Sequence, residues 1–437
     1  MRTARTVLRR PRGRHTPRAS WPNRGLAVAL AGGGALLGWW LPHAERSQHL
    51  GGLTYAPSAA QATLGAIASG VITLTGFVLT AVTLVVQSVQ SMSPRLAGVL
   101  GYFERSLVLF GALTGTAVYA LVVLAQVSDD HVPRLSVTLA IVFVVLSTGA
   151  ILGSLAELRE TVTGGGLVRT VGLRLHAALD HAWQESAHPR TAPGPVPSGP
   201  SAPGREPPPE GAEIGAPRGG VVQHIDGPAL AALAARLDLH VTCLVAVGGF
   251  VEPDAPLLRA GPAAPPAPEA RRLARAVRLG PSRRIDHDPA YGLRLLVDVA
   301  IRALSPAVND PTTAVQALDQ IESALLRLAP RPLGPATFRD GEGTARVTVP
   351  RPDWPELLDL AFAEILLYGA DSLQVHRRVR ALLDTLAPAL PPSRAAALGP
   401  YRAALERTAR TLPDPTLIAT ATRPDTQGLG GPAPRDG

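Results

Sequence analysis

The sequence predicts a two-part chain: an α-helical integral membrane domain of four transmembrane helices, then a cytoplasmic α+β domain with a small β-rich module and a helical C-terminal part. Three observations predict it. Apolar residues concentrate before residue 160, in runs that carry no charge. Arginine alternates between the ends of those runs. A stretch rich in Pro, Gly, Ser and Ala at 189–219 separates them from polar, periodic sequence.

The first run, 26–41, is closed by Pro42 and carries Trp39 and Trp40 at its far end, where interfacial aromatics belong. A basic start before a short apolar run is also a signal-peptide pattern. The longer runs at 64–86, 106–127 and 135–155 hold the chain in a bilayer either way. Residues 1–24 carry eight arginines and no acid, whereas the loop 43–63 carries only Arg46. Arg95 and Arg105 follow the second run, Arg134 precedes the fourth beside Asp129 and Asp130, and Arg159, Arg169 and Arg174 follow it. Cytoplasmic loops are enriched in arginine, so both termini are expected inside, with the chain multi-pass in the cell's inner (plasma) membrane.

The expected organisation is a basic cytoplasmic tail at 1–24, the membrane domain at 25–160, and a helix with a Pro/Gly-rich linker at 161–219. A small β-rich module at 220–260, a mainly helical cytoplasmic domain at 271–411 and a disordered tail at 412–437 follow. Strands are expected at 221–225, 239–247 and 255–258, with a helix at 229–237 capped by Asp226 or Gly227 and opened by Pro228. Helices are expected at 291–304, 311–329, 354–368, 371–387 and 392–411.

Composition excludes several chemistries. The chain has no lysine, so it has no Walker A lysine, no Schiff-base lysine and no attachment point for biotin or lipoate. Its single cysteine, Cys243, excludes an internal disulfide and any multi-cysteine zinc site. The formal charge of +8 is local to the tail, and no basic patch is interleaved with aromatics, so no nucleic-acid partner is expected. No cofactor is expected, and no base–nucleophile set marks an enzyme.

Within the second run, Thr73, Gly76, Thr80, Thr83, Gln87 and Gln90 follow a 3,4,3,4,3 spacing, which places them on one helical face. That face either packs against another helix or lines a hydrated path. Gly111 and Gly115 form a small-xxx-small pair in the third run. In the soluble part, Arg294, Asp298 and Arg302 are four apart, a charge ladder worth only about 0.3–0.5 kcal/mol per pair if exposed. Ser305-Pro306 stops that helix, and Asp310-Pro311, preceded by Asn309, starts the next. Asp286, His287 and Asp288 are metal-ligand types, but adjacent residues rarely converge on one ion, and Asp288-Pro289 is an ordinary helix start.

These residues also carry a resemblance. The segment from Thr73 to Arg95, ending S-M-S-P-R, resembles the bacterial predicted membrane protein family called domain of unknown function 2254. So does D-V-A-I-R-A-L-S-P-A-V-N-D-P-T-T-A from Asp298 to Ala314, with Ala307 where the family usually has Gly. The lead-in Arg284-Ile-Asp-His-Asp288-Pro-Ala-Tyr-Gly292 is similar at slightly altered spacing, with His287 where Gln is frequent, and Gly220-Val-Val-Gln-His-Ile-Asp226 also matches. The resemblance implies a shared membrane topology and cytoplasmic domain, and implies no activity. Residues 220–258 also resemble half of a barrel-sandwich fold, with a turn at 249–257, which without lysine is no carrier.

Two functions fit this pattern. One is an oligomeric channel or transport-related protein whose polar face lines the path. The other is a membrane scaffold or sensor whose cytoplasmic domain binds a protein partner; there Arg284, Asp288, Arg294, Asp298, Arg302, Ser305, Asn309 and Asp310 form an interface or structural motif. The lipid bilayer and further copies of the chain are the expected partners.

Overall fold

The computed structural model describes residues 21–48, 54–92, 95, 102–129, 131–162, 165–186 and 211–428. The basic tail, most of the Pro/Gly-rich stretch, and Ser93 and Pro94 of the S-M-S-P-R segment lie outside the described residues. Two compact units emerge: residues 1–88 with 101–159, and residues 89–100 with 160–437.

The N-terminal unit holds α1 (Trp21–Gln48), α2 (Pro57–Met92), α3 (Tyr102–Leu124) and α4 (Arg134–Val162). Four stretches in them, Asn23–Arg46, Pro57–Gln87, Ser106–Leu124 and Arg134–Ala156, are long and apolar enough to cross a bilayer. Helix α1 does not end at Pro42, as expected, but runs on to Gln48. Proline removes one ladder hydrogen bond without forbidding the turns that follow. The continuation places Glu45 on the first turn of α4. Its buried carboxylate accepts from the backbone N–H of Leu135 at 3.1 Å and Ser136 at 2.7 Å, and from the Ser136 hydroxyl. A carboxylate at a helix N-terminus satisfies orphan donors and complements the dipole. The longer helix thus brings an ionisable group inside an apolar element, where the sequence had suggested none.

Helices α1 and α3 meet through glycine. A Cβ on Gly34 would stand 2.1 Å from the Gly115 carbonyl oxygen, and one on Gly111 would stand 2.5 Å from Ala27 Cα. The small-xxx-small pair of α3 is therefore used inside one chain, where missing side chains let two backbones touch. Helix α2 buries Val71, Val78 and Val82 against Leu113 and Ala117 of α3 and Ile151 of α4.

The C-terminal unit mixes sheet and helix. Its first helix is α5 (Gly166–Ser186). The strands are β1 (Ala212–Gly215), β2 (Gly220–Ile225), β3 (His240–Cys243), β4 (Phe250–Val251), β5 (Pro256–Gly261), β6 (Val277–Gly280), β7 (Ala336–Arg339) and β8 (Ala345–Val349). They form a five-stranded sheet in the order β1-β5-β3-β8-β7 and a three-stranded sheet in the order β4-β2-β6. Only β3 and β8 pair in parallel, Val241 opposite Val347. Val222, Ile225, Val241, Leu258, Leu279 and Val347 belong to the single core that both sheets share.

Helices α6 (Gly227–Arg236) and α7 (Ala267–Arg275) flank these sheets in sequence, and α8 (Pro289–Ala303), α9 (Pro311–Leu328), α10 (Trp354–Tyr368) and α11 (Leu373–Ala389) form most of the helical part. Three starts follow one rule, an aspartate cap with proline one or two residues on. Asp226, Asp288 and Asp310 accept from the backbone N–H of Ala229, Tyr291 and Thr313 at 2.9, 2.9 and 3.1 Å.

Several expectations are corrected. Strand β1 falls inside the stretch expected to be linker, and β6, β7, β8 and α7 were not anticipated. The strand expected at 239–247 stops at Cys243. The expected 392–411 helix is two, α12 (Pro392–Ala396) and α13 (Gly399–Ala409), and α14 (Pro415–Ala421) lies in the tail expected to be disordered. Asp414 caps α14 by accepting from the Thr416 N–H at 2.7 Å, an Asp-Pro start again. Sheets completed by strands more than fifty residues away explain why 220–258 reads as half a fold.

Candidate functional site

The sequence pointed to two places. The first is the polar face of α2. Thr73, Gly76, Thr80, Thr83, Gln87 and Gln90 are all exposed, on the side of the helix opposite the buried valines. It is the face turned away from the α3 and α4 residues on which those valines pack. Thr73, Thr80 and Thr83 donate their hydroxyls back to the carbonyls of Ser69, Gly76 and Leu79 at 2.9, 3.1 and 2.8 Å. The hydroxyl protons are thus satisfied locally, while the Gln87 and Gln90 side chains remain at the exposed end of the stripe.

The second is the segment around α8. The ladder is not the one expected. Asp298, only 12% exposed, binds Arg294 at 2.7 Å and Arg95 at 3.1 Å, and Arg302 is exposed and makes no ion pair with it. Arg294 turns its other nitrogens to both carboxylate oxygens of Glu364 on α10. This hydrogen bond holds the Glu364 carboxyl below its ordinary range. One face of α8 is therefore tied to α10 and to the segment after α2, and Arg302, one turn further on, is out of reach.

The A-L-S-P-A-V-N-D-P string makes the corner between α8 and α9. Ser305 donates its hydroxyl to the Arg302 carbonyl at 2.7 Å and accepts from the N–H of Asn309 at 2.9 Å. Asn309 takes φ 47°, a left-handed conformation that its short amide tolerates. Asp310 closes the corner by donating its N–H to Ala303 at 2.8 Å while its carboxylate caps α9. Each of these residue types has a backbone task here.

Asp286, His287 and Asp288 diverge. Arg284 engages Asp286 at 3.1 Å. The Asp288 carboxylate caps α8 and pairs with Arg283 at 2.7 Å. Burial pushes the Asp288 carboxyl up, against the pull of Arg283 and of the Tyr291 N–H. His287 turns instead to His224 of β2, with ring centroids 4.2 Å apart, and to His181 of α5 at 5.0 Å. This three-histidine contact was not foreseen, because its members lie far apart in sequence and no spacing links them. Among the described residues, no three His, Cys, Asp or Glu side chains converge as metal ligands.

His224 and His287 also line a cavity of about 110 Å³ within this unit. Leu175 of α5, Leu293 of α8, Leu328 of α9, Phe338 of β7 and Leu357 of α10 form much of its wall, and Arg351 also borders it. It opens where the sheets meet the helices, a common place for small-molecule sites.

Burial, joined by the nearby His224, His181 and Arg278 and opposed by Asp286, lowers His287 from its ordinary 6.5 to about 4. The unfolded chain therefore binds a proton that the folded chain refuses. Its contribution to stability is complete above pH 6.5 and is lost as pH falls toward 4. The melting temperature of the full chain should drop over that window, and His287→Gln should flatten the drop. An unaltered profile in the variant would assign the acid sensitivity elsewhere.

Comparison with known proteins gives family and not activity. The chain is 30% identical over 285 residues to uncharacterized proteins of Mycobacterium bovis and Mycobacterium tuberculosis, covering 64% of this chain and 53% of each relative. It thus spans about half the length of these curated relatives. No solved structure matches it. The profile of a predicted membrane protein family, DUF2254, matches residues 18–385, which take in all four apolar helices, both sheets and the α8–α9 corner, and the chain belongs to that family.

Proposed function

We propose that the protein works in the membrane as a homo-oligomer, with the polar face of α2 turned toward neighbouring copies around a hydrated path, as in a channel or transport-related protein. One observation carries this: six polar or small residues over five turns of an apolar helix all face away from the helices of their own chain. Lipid offers the glutamine amides no hydrogen bonds, whereas a second copy or water does. In this reading both termini lie on the cytoplasmic side of an inner membrane, which the arginine distribution supports. In this reading the protein is not an enzyme.

The chain suits a direct test. Its sole cysteine, Cys243, is buried, and burial pushes the thiol up to about 12, so it is a silent background. Thr80→Cys in native membranes should cross-link into dimers on mild oxidation, and Val82→Cys, on the buried face, should not. Equal cross-linking of the two would remove the α2 interface. In liposomes Thr80→Arg should alter ion flux. Flux absent from both wild type and variant would remove the path and leave the alternative of a scaffold or sensor whose cytoplasmic domain binds a protein partner.

A further inference from the structure

We infer that the cavity between the sheets and helices of the C-terminal unit is a binding site for a small amphipathic anion, an apolar body bearing one carboxylate-like group. The inference concerns this unit alone and stands apart from the role of α2.

Size and lining set the chemical class. A cavity of about 110 Å³ has room for several waters on a measure where one needs about 10–15 Å³, and therefore for a small organic molecule. Its wall is mostly aliphatic, with Leu175, Leu293, Leu328 and Leu357 contributed by four helices. A wall of that kind holds water poorly and an apolar body well. The polar groups bordering it are not evenly mixed in charge. Arg351 brings a positive charge and His224 and His287 their imidazole rings, and the first turn of α8, through Pro289 and Ala290, brings the positive end of a helix dipole. The one carboxylate in the lining, Asp288, is already committed to the α8 cap and to Arg283. The cavity therefore favours an acceptor or anion over a cation.

Proton uptake follows from the same geometry. The groups facing His287 are His224 from β2, His181 from α5, Arg278 from β6 and neighbouring Asp286. Apart from Asp286, each of these keeps the ring neutral. A carboxylate entering beside His287 would favour its imidazolium, so binding should draw in a proton and tighten as pH falls from 7 to 6.

The test uses the full chain in lipid nanodiscs, with radiolabelled 3-phenylpropionate measured by equilibrium dialysis against empty nanodiscs. Saturable binding of one molecule per chain is expected, several-fold tighter at pH 6 than at pH 7. The neutral 3-phenylpropanol should bind at least tenfold more weakly. Ala246→Trp, which fills the cavity from a loop, should abolish binding. His287→Gln, a smaller change, should weaken binding several-fold and remove its pH dependence, with the melting temperature at pH 7 reporting that both variants fold. Uptake no greater than in empty nanodiscs would overturn the site. Equal affinity for acid and alcohol would overturn the anionic class, and full binding by a folded Ala246→Trp would place the ligand elsewhere. Should Ala246→Trp fail to fold, unchanged affinity and pH dependence in His287→Gln would overturn the assignment alone.

Discussion

Gly115→Leu should abolish the folded N-terminal unit. At this position α3 lies so close to α1 that a Cβ would stand 2.5 Å from the Leu30 carbonyl oxygen. Gly34 meets the same crossing from the other side, its added Cβ 2.1 Å from the Gly115 oxygen. The obstacles are backbone atoms, which cannot turn aside as a side-chain tip would. Overpacking costs about 1–3 kcal/mol where neighbours can shift, and the cost here belongs at or above the top of that range. Close approach is also what supports association in lipid, where apolar surface supplies no hydrophobic drive. Folded yield in detergent and resistance to proteolysis should fall sharply for Gly115→Leu and for Gly34→Leu. Gly149→Leu should be tolerated, because nothing lies within 4 Å of a Cβ there. Normal yield and protease resistance in Gly115→Leu would mean that α1 and α3 do not cross as described.

The second large effect is expected at Arg294. Its guanidinium binds Asp298 on its own helix and both oxygens of Glu364 on α10. Removing it leaves Asp298, almost buried, with only the exposed Arg95, and leaves Glu364 without its partner. Breaking a fully buried pair costs about 3–5 kcal/mol, and partial exposure of Arg294 and Glu364 reduces this to about 2 kcal/mol for Arg294→Ala. Arg302→Ala should change stability by less than about 0.5 kcal/mol, as surface substitutions do. Chemical denaturation of the two variants side by side checks this. Equal losses would restore the symmetrical ladder that the i, i+4 spacing suggests and would contradict the observed pairing.

That contrast illustrates where sequence stops being informative. Spacing placed Arg294 and Arg302 equally, one turn either side of Asp298. Helical periodicity describes one helix and is blind to what lies across from it. Glu364 and Arg95 decide which arginine is held, and they come from 70 residues downstream and some 200 upstream. The same holds for the histidines. His287 was considered only with its neighbours Asp286 and Asp288, which turn away to Arg284 and to the α8 cap. Its actual companions arrive from α5 and β2. The glycine pair on α3 was visible as a pattern, yet only the crossing with α1 shows that it is used within a chain.

Local chemistry was far more legible. Charge-free runs long enough for a bilayer predicted all four helices, because backbone polarity in lipid leaves helix as the form such runs can take. An aspartate with proline one or two residues on marked the starts of α6, α8 and α9, because a cap and a preset φ act within one turn. The stripe on α2 follows from spacing alone, since 3.6 residues per turn fixes which positions share a face. Short strands were legible only in part, because a four-residue strand is defined by its partner: β3 acquires its place from β8, about a hundred residues away. The amino-acid order alone determined which runs are apolar, most of the longer helices and the aspartate-capped starts of α6, α8 and α9. The tertiary structure decided which polar groups meet, where the cavity lies and which face of α2 is left uncovered, because those depend on contacts between segments that no local period records.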